Sequence, residues 1–199
     1  MMKTVRSTSA GFTLIETLVA ITILTLAVVG PLFAAHRAVI AAQISRSQLV
    51  ASYLAQEGVE YVRSMRDSIY LAASPGADAS TVAWTTFLTS NNPLSVTQCR
   101  ASQGNPNVWC AFDPTLSSGL QPCSGGSCTP LYLSSSGVYV QSSTGAPTPY
   151  TRSIQVLDIP GTADGASPYP DKRLVSKVSW AYQGKTYTVT VTDHLTPWQ

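Results

Sequence analysis

The sequence predicts an α+β protein in which a long N-terminal helix packs on a C-terminal antiparallel sheet. Residues 12–35 form an apolar run with a single charge, and helical patterning continues beyond it to residue 73. Near the other end, residues 151–159, 174–182 and 186–195 are β-branched and aromatic, with hydrophobic side chains at alternate positions. Between the two lies a stretch rich in Ser, Thr, Gly and Pro that holds all four cysteines.

A chain of 199 residues has room for one ordinary domain and a membrane element. Twelve Lys and Arg stand against ten Asp and Glu, a balance too even to point to nucleic acid as the main partner. Lys3 and Arg6, in the first eleven residues, account for the whole surplus.

Those residues, MMKTVRSTSAG, are short, polar and basic, so by the positive-inside rule they stay cytoplasmic and everything after Ala35 is exported. The twenty-four residues from Phe12 to Ala35 would cover about 36 Å as a helix, enough for a hydrocarbon core of about 30 Å. A cleaved secretory signal would use the small residues Ala34, Ala35 and Ala38. An uncut signal anchor would explain length and orientation. Neither gives a purpose to Glu16, which costs about 2.5–3.5 kcal/mol at a bilayer centre unless it lies at the interface and snorkels to water.

The stretch GFTLIE, residues 11–16, resembles the class III signal of type IV pilins and of the pseudopilins of type II secretion. The resemblance implies a prepilin leader of residues 1–11, cut by a prepilin peptidase between Gly11 and Phe12, with methylation of the new Phe12 amine. Glu16 becomes the fifth mature residue. Its implied role is to face the cationic Phe12 terminus of a neighbouring subunit, so that a carboxylate expensive alone in lipid fixes the register of assembly when paired. Phe12 and Glu16 are four residues apart, so helical geometry also permits a pairing within one subunit. In the family, a proline within this helix marks a stretch that unwinds in the filament, and Gly30-Pro31 predicts a kink or local melting here. Residues 53–67, YLAQEGVEYVRSMRD, are similar to a stretch of minor pilins.

Beyond the transmembrane and filament-core helix of residues 12–35, an amphipathic helix is expected over 36–73. Ile40, Ile44, Ala51, Leu54, Ala55, Val62, Met65 and Ile69 trace one apolar stripe. Arg46, Glu57, Arg63 and Asp67 lie mainly off it, with Glu60–Arg63 or Arg63–Asp67 as short-range pairs. Pro75-Gly76 is the expected stop. The exported head spans residues 74–199, loop-like to about Pro149.

Cys99, Cys110, Cys123 and Cys128 are disulfide candidates. Three connectivities are open, and loop closure favours the local pairs Cys99–Cys110 and Cys123–Cys128. The rival, a zinc site, would use a C-x10-C-x12-C-x4-C spacing without the close knuckles of common structural sites. No metal is expected. Many pilins instead close a disulfide loop near the C-terminus.

In the last two strands Val178, Trp180 and Tyr182 share a face, as do Tyr187, Val189 and Val191, while Thr186, Thr188, Thr190 and Thr192 take the other. A hairpin around Gln183-Gly184-Lys185, with its apolar face on the long helix, follows. Residues 137–143 are a weaker strand.

His36 and His194 have no serine elbow, phosphate loop or metal-ligand set beside them, so neither an enzyme nor a cofactor is expected. Arg100, Arg152, Lys172, Arg173, Lys177 and Lys185 are scattered through the head among acids, and the doublet Lys172-Arg173 reads as solvated surface. The resemblance implies a structural subunit of a type IV pilus or type II secretion pseudopilus, a minor pilin or pseudopilin. Its partners would be other subunits, the peptidase and methylase, the inner membrane and its assembly machinery. The precursor would cross the inner membrane once, N-terminus cytoplasmic, before entering a filament. Two readings compete: an uncleaved, membrane-anchored extracytoplasmic binding protein, and a competence pilin contacting DNA.

Overall fold

The computed structural model of the chain describes residues 11–73, 79–101, 106–143, 145–159 and 171–197. Residues 1–10 of the expected 1–11 leader, and the expected stop at Pro75-Gly76, lie outside the described residues. The chain divides into two compact units, Met1–Arg46 and Ser47–Gln199. Helix α1 (Leu14–Ala72) contributes to both.

In the first unit the helix carries its apolar side chains in the open, and residues 11–39 are all exposed. Three threonines interrupt the apolar surface, and each hydroxyl donates to a carbonyl one turn back: Thr17 to Leu14, Thr22 to Val19 and Thr25 to Thr22. These groups need nothing from the surroundings, the condition that hydrocarbon imposes. The backbone stays helical across Gly30-Pro31, although Pro31 has no N–H to offer the Ala27 carbonyl.

In the second unit the helix buries Ala51, Leu54, Ala55, Gly58, Val59, Val62, Met65 and Ile69. Gly58 and Val59 join the stripe read from the sequence, and at Gly58 the sheet leaves no room for a Cβ. The sheet is built from β1 (Arg100–Ala101), β2 (Cys110–Phe112), β3 (Leu120–Pro122), β7 (Tyr150–Asp158), β8 (Lys172–Tyr182) and β9 (Lys185–Leu195). Its order is β3-β2-β7-β8-β9, antiparallel throughout, with β1 added parallel to β7. A small second sheet joins β4 (Tyr132–Leu133), β5 (Tyr139–Val140) and β6 (Ala146–Pro147) in the order β5-β4-β6.

The long hairpin forms as its alternation predicts. Val178 and Trp180 are buried, Tyr187, Val189 and Val191 half-buried, and the four threonines of β9 exposed. Lys185 pairs with Tyr182, so the loop is Gln183-Gly184 alone. Both loop residues have positive φ, 49° and 74°, the type I′ geometry whose twist matches that of the strands.

The core consists of two clusters. One sets Val59, Val62, Met65 and Ile69 of α1 against Ile154, Val156, Leu174 and Leu195 of the sheet. The other gathers Ala51, Leu54 and Ala55 with Leu131, Tyr150, Val178 and Trp180.

Two expectations need correction. The region read as loops contains a second helix, α2 (Ala79–Thr89), and six short strands. Its β-branched threonines weaken the helical signal, but Ala83, Trp84, Phe87 and Leu88 share a face and are buried. The basic doublet is split: Arg173 is exposed, whereas Lys172 is 1% exposed with its ammonium 2.9 Å from Asp158.

Candidate functional site

The start of α1 is built by Thr13. Its hydroxyl accepts from the Glu16 amide at 3.3 Å, and its carbonyl accepts from the amides of Glu16 and Thr17 at 3.1 and 3.2 Å. Thr13 is thus the N-cap and Glu16 the third helical residue, the spacing of a capping box. The carboxylate also sits in the first turn, where the helix dipole favours negative charge. Sequence reasoning missed Thr13, although T-x-x-E was there to be read. Gly11 and Phe12 precede the cap and are exposed, Phe12 at 81%. The peptide bond between them lies outside regular secondary structure.

Following this start, the helix has an 18-residue window of mean hydropathy 2.4 and is long and apolar enough to cross a membrane. Near the end of the apolar run the Arg37 guanidinium lies 5.0 Å from the Phe33 ring centroid, a helix-surface cation–π contact.

The family model of the prokaryotic N-terminal methylation motif matches residues 6–30. The chain carries the class III signal of type IV pilins and pseudopilins. The match takes in Gly11, Phe12, Glu16 and the helix to Gly30. No curated protein and no solved structure matches the chain, so the head stands on its own geometry. With one long apolar N-terminal helix and a C-terminal antiparallel sheet, the layout of this signal-bearing chain is pilin-like.

Within the head, the polar centre is Arg152, fully buried on β7. It donates to the Glu57 carboxylate on α1 and, at 3.4 Å, to the Phe112 carbonyl, and its guanidinium stacks 3.7 Å from the Phe112 ring centroid. Tyr61 stacks on the same ring at 4.0 Å. Burial pushes the Arg152 pKa down from its ordinary value, against the opposing pull of Glu57. Arg63 adds a second tie from α1, with Nε 2.9 Å from Asp193 of β9 and NH1 2.6 Å from Glu60.

Asp113 fastens the loops. It accepts from the Thr115 amide and hydroxyl and from the amides of Gln141 and Ser142. Burial alone would raise its pKa, but these hydrogen bonds outweigh it and hold the carboxyl below the ordinary range. Asp158 behaves likewise: burial raises it, and Arg100 and Lys172 bring it lower.

Cys99 is bonded to Cys110 and Cys123 to Cys128. The first pair is fully buried and ties the entry of β1 to β2, while the second closes the SGGS ring, with Cys123 half-exposed. Both histidines are exposed. Among the described residues no cluster of His, Cys, Asp and Glu could hold a metal ion.

Proposed function

We propose that the chain is a prepilin. In this reading a prepilin peptidase cuts between Gly11 and Phe12, Phe12 is N-methylated, and the mature protein assembles through α1 as a minor pilin or pseudopilin of a type IV pilus or type II secretion pseudopilus. The observation that carries it is the methylation motif over residues 6–30. The function is structural rather than catalytic.

The geometry supplies the chemical logic. Cutting after Gly11 would place a cationic amine two residues ahead of the first helical residue, beside the positive end of the helix dipole, where a cation is unfavourable. Glu16 in the first turn offsets that charge, within the subunit or from a neighbour. An apolar helix with a satisfied cap and self-bonded threonines then offers a packing surface on every side.

The test is the intact mass and N-terminal sequence of the protein from membranes of a cell with a prepilin peptidase. A chain beginning at N-methylated Phe12 supports the proposal. One beginning at Met1 overturns it and favours an uncleaved, membrane-anchored binding protein.

A further inference from the structure

We infer that the open edge of β9 pairs with β9 of a second copy of this chain, antiparallel about a two-fold axis at Val189. The main sheet ends on this strand: β9 pairs with β8, and among the described residues no strand covers its other edge. Exposed edges are commonly blunted by shortness, proline or a bulge. β9 runs eleven residues without proline or glycine, and its register with β8 is unbroken from Lys185 to Leu195.

The two-residue loop fixes which backbone groups face outward. In such a hairpin the closing pair, here Tyr182 and Lys185, exchanges both hydrogen bonds, and bonded pairs recur at every second position. The odd-numbered residues of β9 are thereby bonded to β8. The amides and carbonyls of Thr186, Thr188, Thr190, Thr192 and His194 point to the open edge, where their alternation fits another strand.

The side chains choose the strand and its register. Lys185, Tyr187, Val189, Val191 and Asp193 share one side of β9 and the threonines the other. Between two copies, antiparallel pairing keeps like sides together, whereas parallel pairing would set the apolar side of one beside the threonines of the other. Centred on Val189, antiparallel pairing puts Lys185 opposite Asp193 of the second copy at both ends, Tyr187 opposite Val191, and Val189 opposite itself. On the other side Thr186 meets Thr192 and Thr188 meets Thr190. All are favourable cross-strand pairs. Centred on Thr190 instead, the pairing would set Tyr187 against Asp193 and Lys185 against Leu195; centred on Thr188, it would set Lys185 against Val191. Lys185 is exposed, and Asp193, which Arg63 holds through Oδ2, keeps 21% of its side chain open.

Helix α1 runs lengthwise on this sheet, from Val178 and Trp180 beside residues 51–55 to Leu174 and Leu195 beside residues 59–69, the direction of β9. The two-fold therefore sets the head portions of the two helices in opposite directions. Subunits drawn from one membrane share a direction, so in the filament reading this contact joins heads of separate filaments rather than neighbours in one. The pairing itself is independent of leader cleavage.

The test uses the full chain in detergent micelles, treated with the thiol oxidant diamide and read as cross-linked dimer on a non-reducing gel. All four native cysteines are bonded, so an introduced cysteine supplies the sole thiol. Val189→Cys places two thiols across a non-hydrogen-bonded pair, about 4.5 Å between Cα atoms, within disulfide range. Val191→Cys lies four residues out of register with its own copy, about 13 Å away, and should cross-link about tenfold less. Adding Thr188→Pro to Val189→Cys removes an outward amide while leaving the ladder to β8 whole, and should lower the yield about tenfold. Adding Lys185→Glu instead opposes two carboxylates at each end and should lower it about fivefold. Association through the apolar part of α1 would affect all four variants alike. The inference is overturned if Val189→Cys gives no dimer, if Val191→Cys cross-links as readily, or if Lys185→Glu leaves the yield unchanged, and the last holds whether or not the proline variant folds.

Discussion

Gly58 of α1 faces Ser176 of β8 with no room between them for a methyl group. A Cβ built on the glycine would collide with the Ser176 hydroxyl and lie 3.2 Å from Ile154 Cδ1. Ser176 Cβ lies 3.3 Å from the same point, so turning the hydroxyl away does not by itself make the space. Gly58→Ala should therefore destabilise the head by about 1–3 kcal/mol through overpacking, despite alanine's better helix propensity. Urea unfolding of the two proteins measures it, and a more stable alanine variant would show that the helix can lift off the sheet freely.

The Arg152–Glu57 pair should be worth most when only one side is removed. Glu57→Ala leaves a buried guanidinium without its carboxylate, at a cost of about 2–4 kcal/mol, somewhat below that of a fully enclosed pair because Glu57 is 38% exposed. Adding Arg152→Met should recover part of that loss. A double-mutant cycle reads the coupling directly, and purely additive effects would mean that the two side chains do not depend on each other.

Acid should unfasten the head. Asp113 and Asp158 are both held below the ordinary carboxylate range in the folded chain. Their contribution is thus fully present above the unfolded pKa of about 3.9 and is lost as pH falls through the lower folded values. Between about pH 5 and 2 the urea midpoint of the native protein should fall, and Asp158→Asn should give a shallower fall from a lower plateau. An unchanged slope in that variant would remove Asp158 from the explanation.

At the N-terminus, Gly11→Ala should still permit some cleavage and Gly11→Leu should block it, because a peptidase must accept the side chain before the cut. Glu16→Ala should leave membrane insertion and cleavage intact and impair assembly. Precursor and mature bands, together with the subunit content of sheared filaments, distinguish these outcomes. Normal incorporation of Glu16→Ala would sink the register role of the carboxylate.

The parts of this architecture legible in the sequence were those written in local patterns. The apolar stripe of α1 repeats at helical intervals, and Thr186 to Thr192 alternate with Tyr187, Val189 and Val191, so both periodicities were visible without partners. Helix α2 was hidden because its residues 80–89 include five Thr and Ser side chains, and burial of Trp84 and Phe87 overrides their weak propensity. Strands of two or three residues leave no periodicity to read. Glu60–Arg63 was legible because it joins neighbouring turns of one helix, but the long-range ionic ties were beyond reach: Glu57 and Arg152 meet across 95 positions, and neither neighbourhood announces the other. Lys172 looked like surface because a doublet says nothing about which member turns inward.

The order of elements along the chain also sets the order in which the head can be completed. The stripe of residues 51–69 finds much of its cover in strands β7 to β9, which span residues 150–195. Both disulfides, by contrast, close locally, across 11 and 5 positions. During synthesis the bridges can form early, and residues such as Trp84, Phe87 and Leu131 supply part of the cover, but the helix keeps the rest of its apolar side open until the last fifty or so residues appear, and such non-local pairing is slow. A ribosome stalled before β8 would display a sticky amphipathic helix, a natural client for a chaperone.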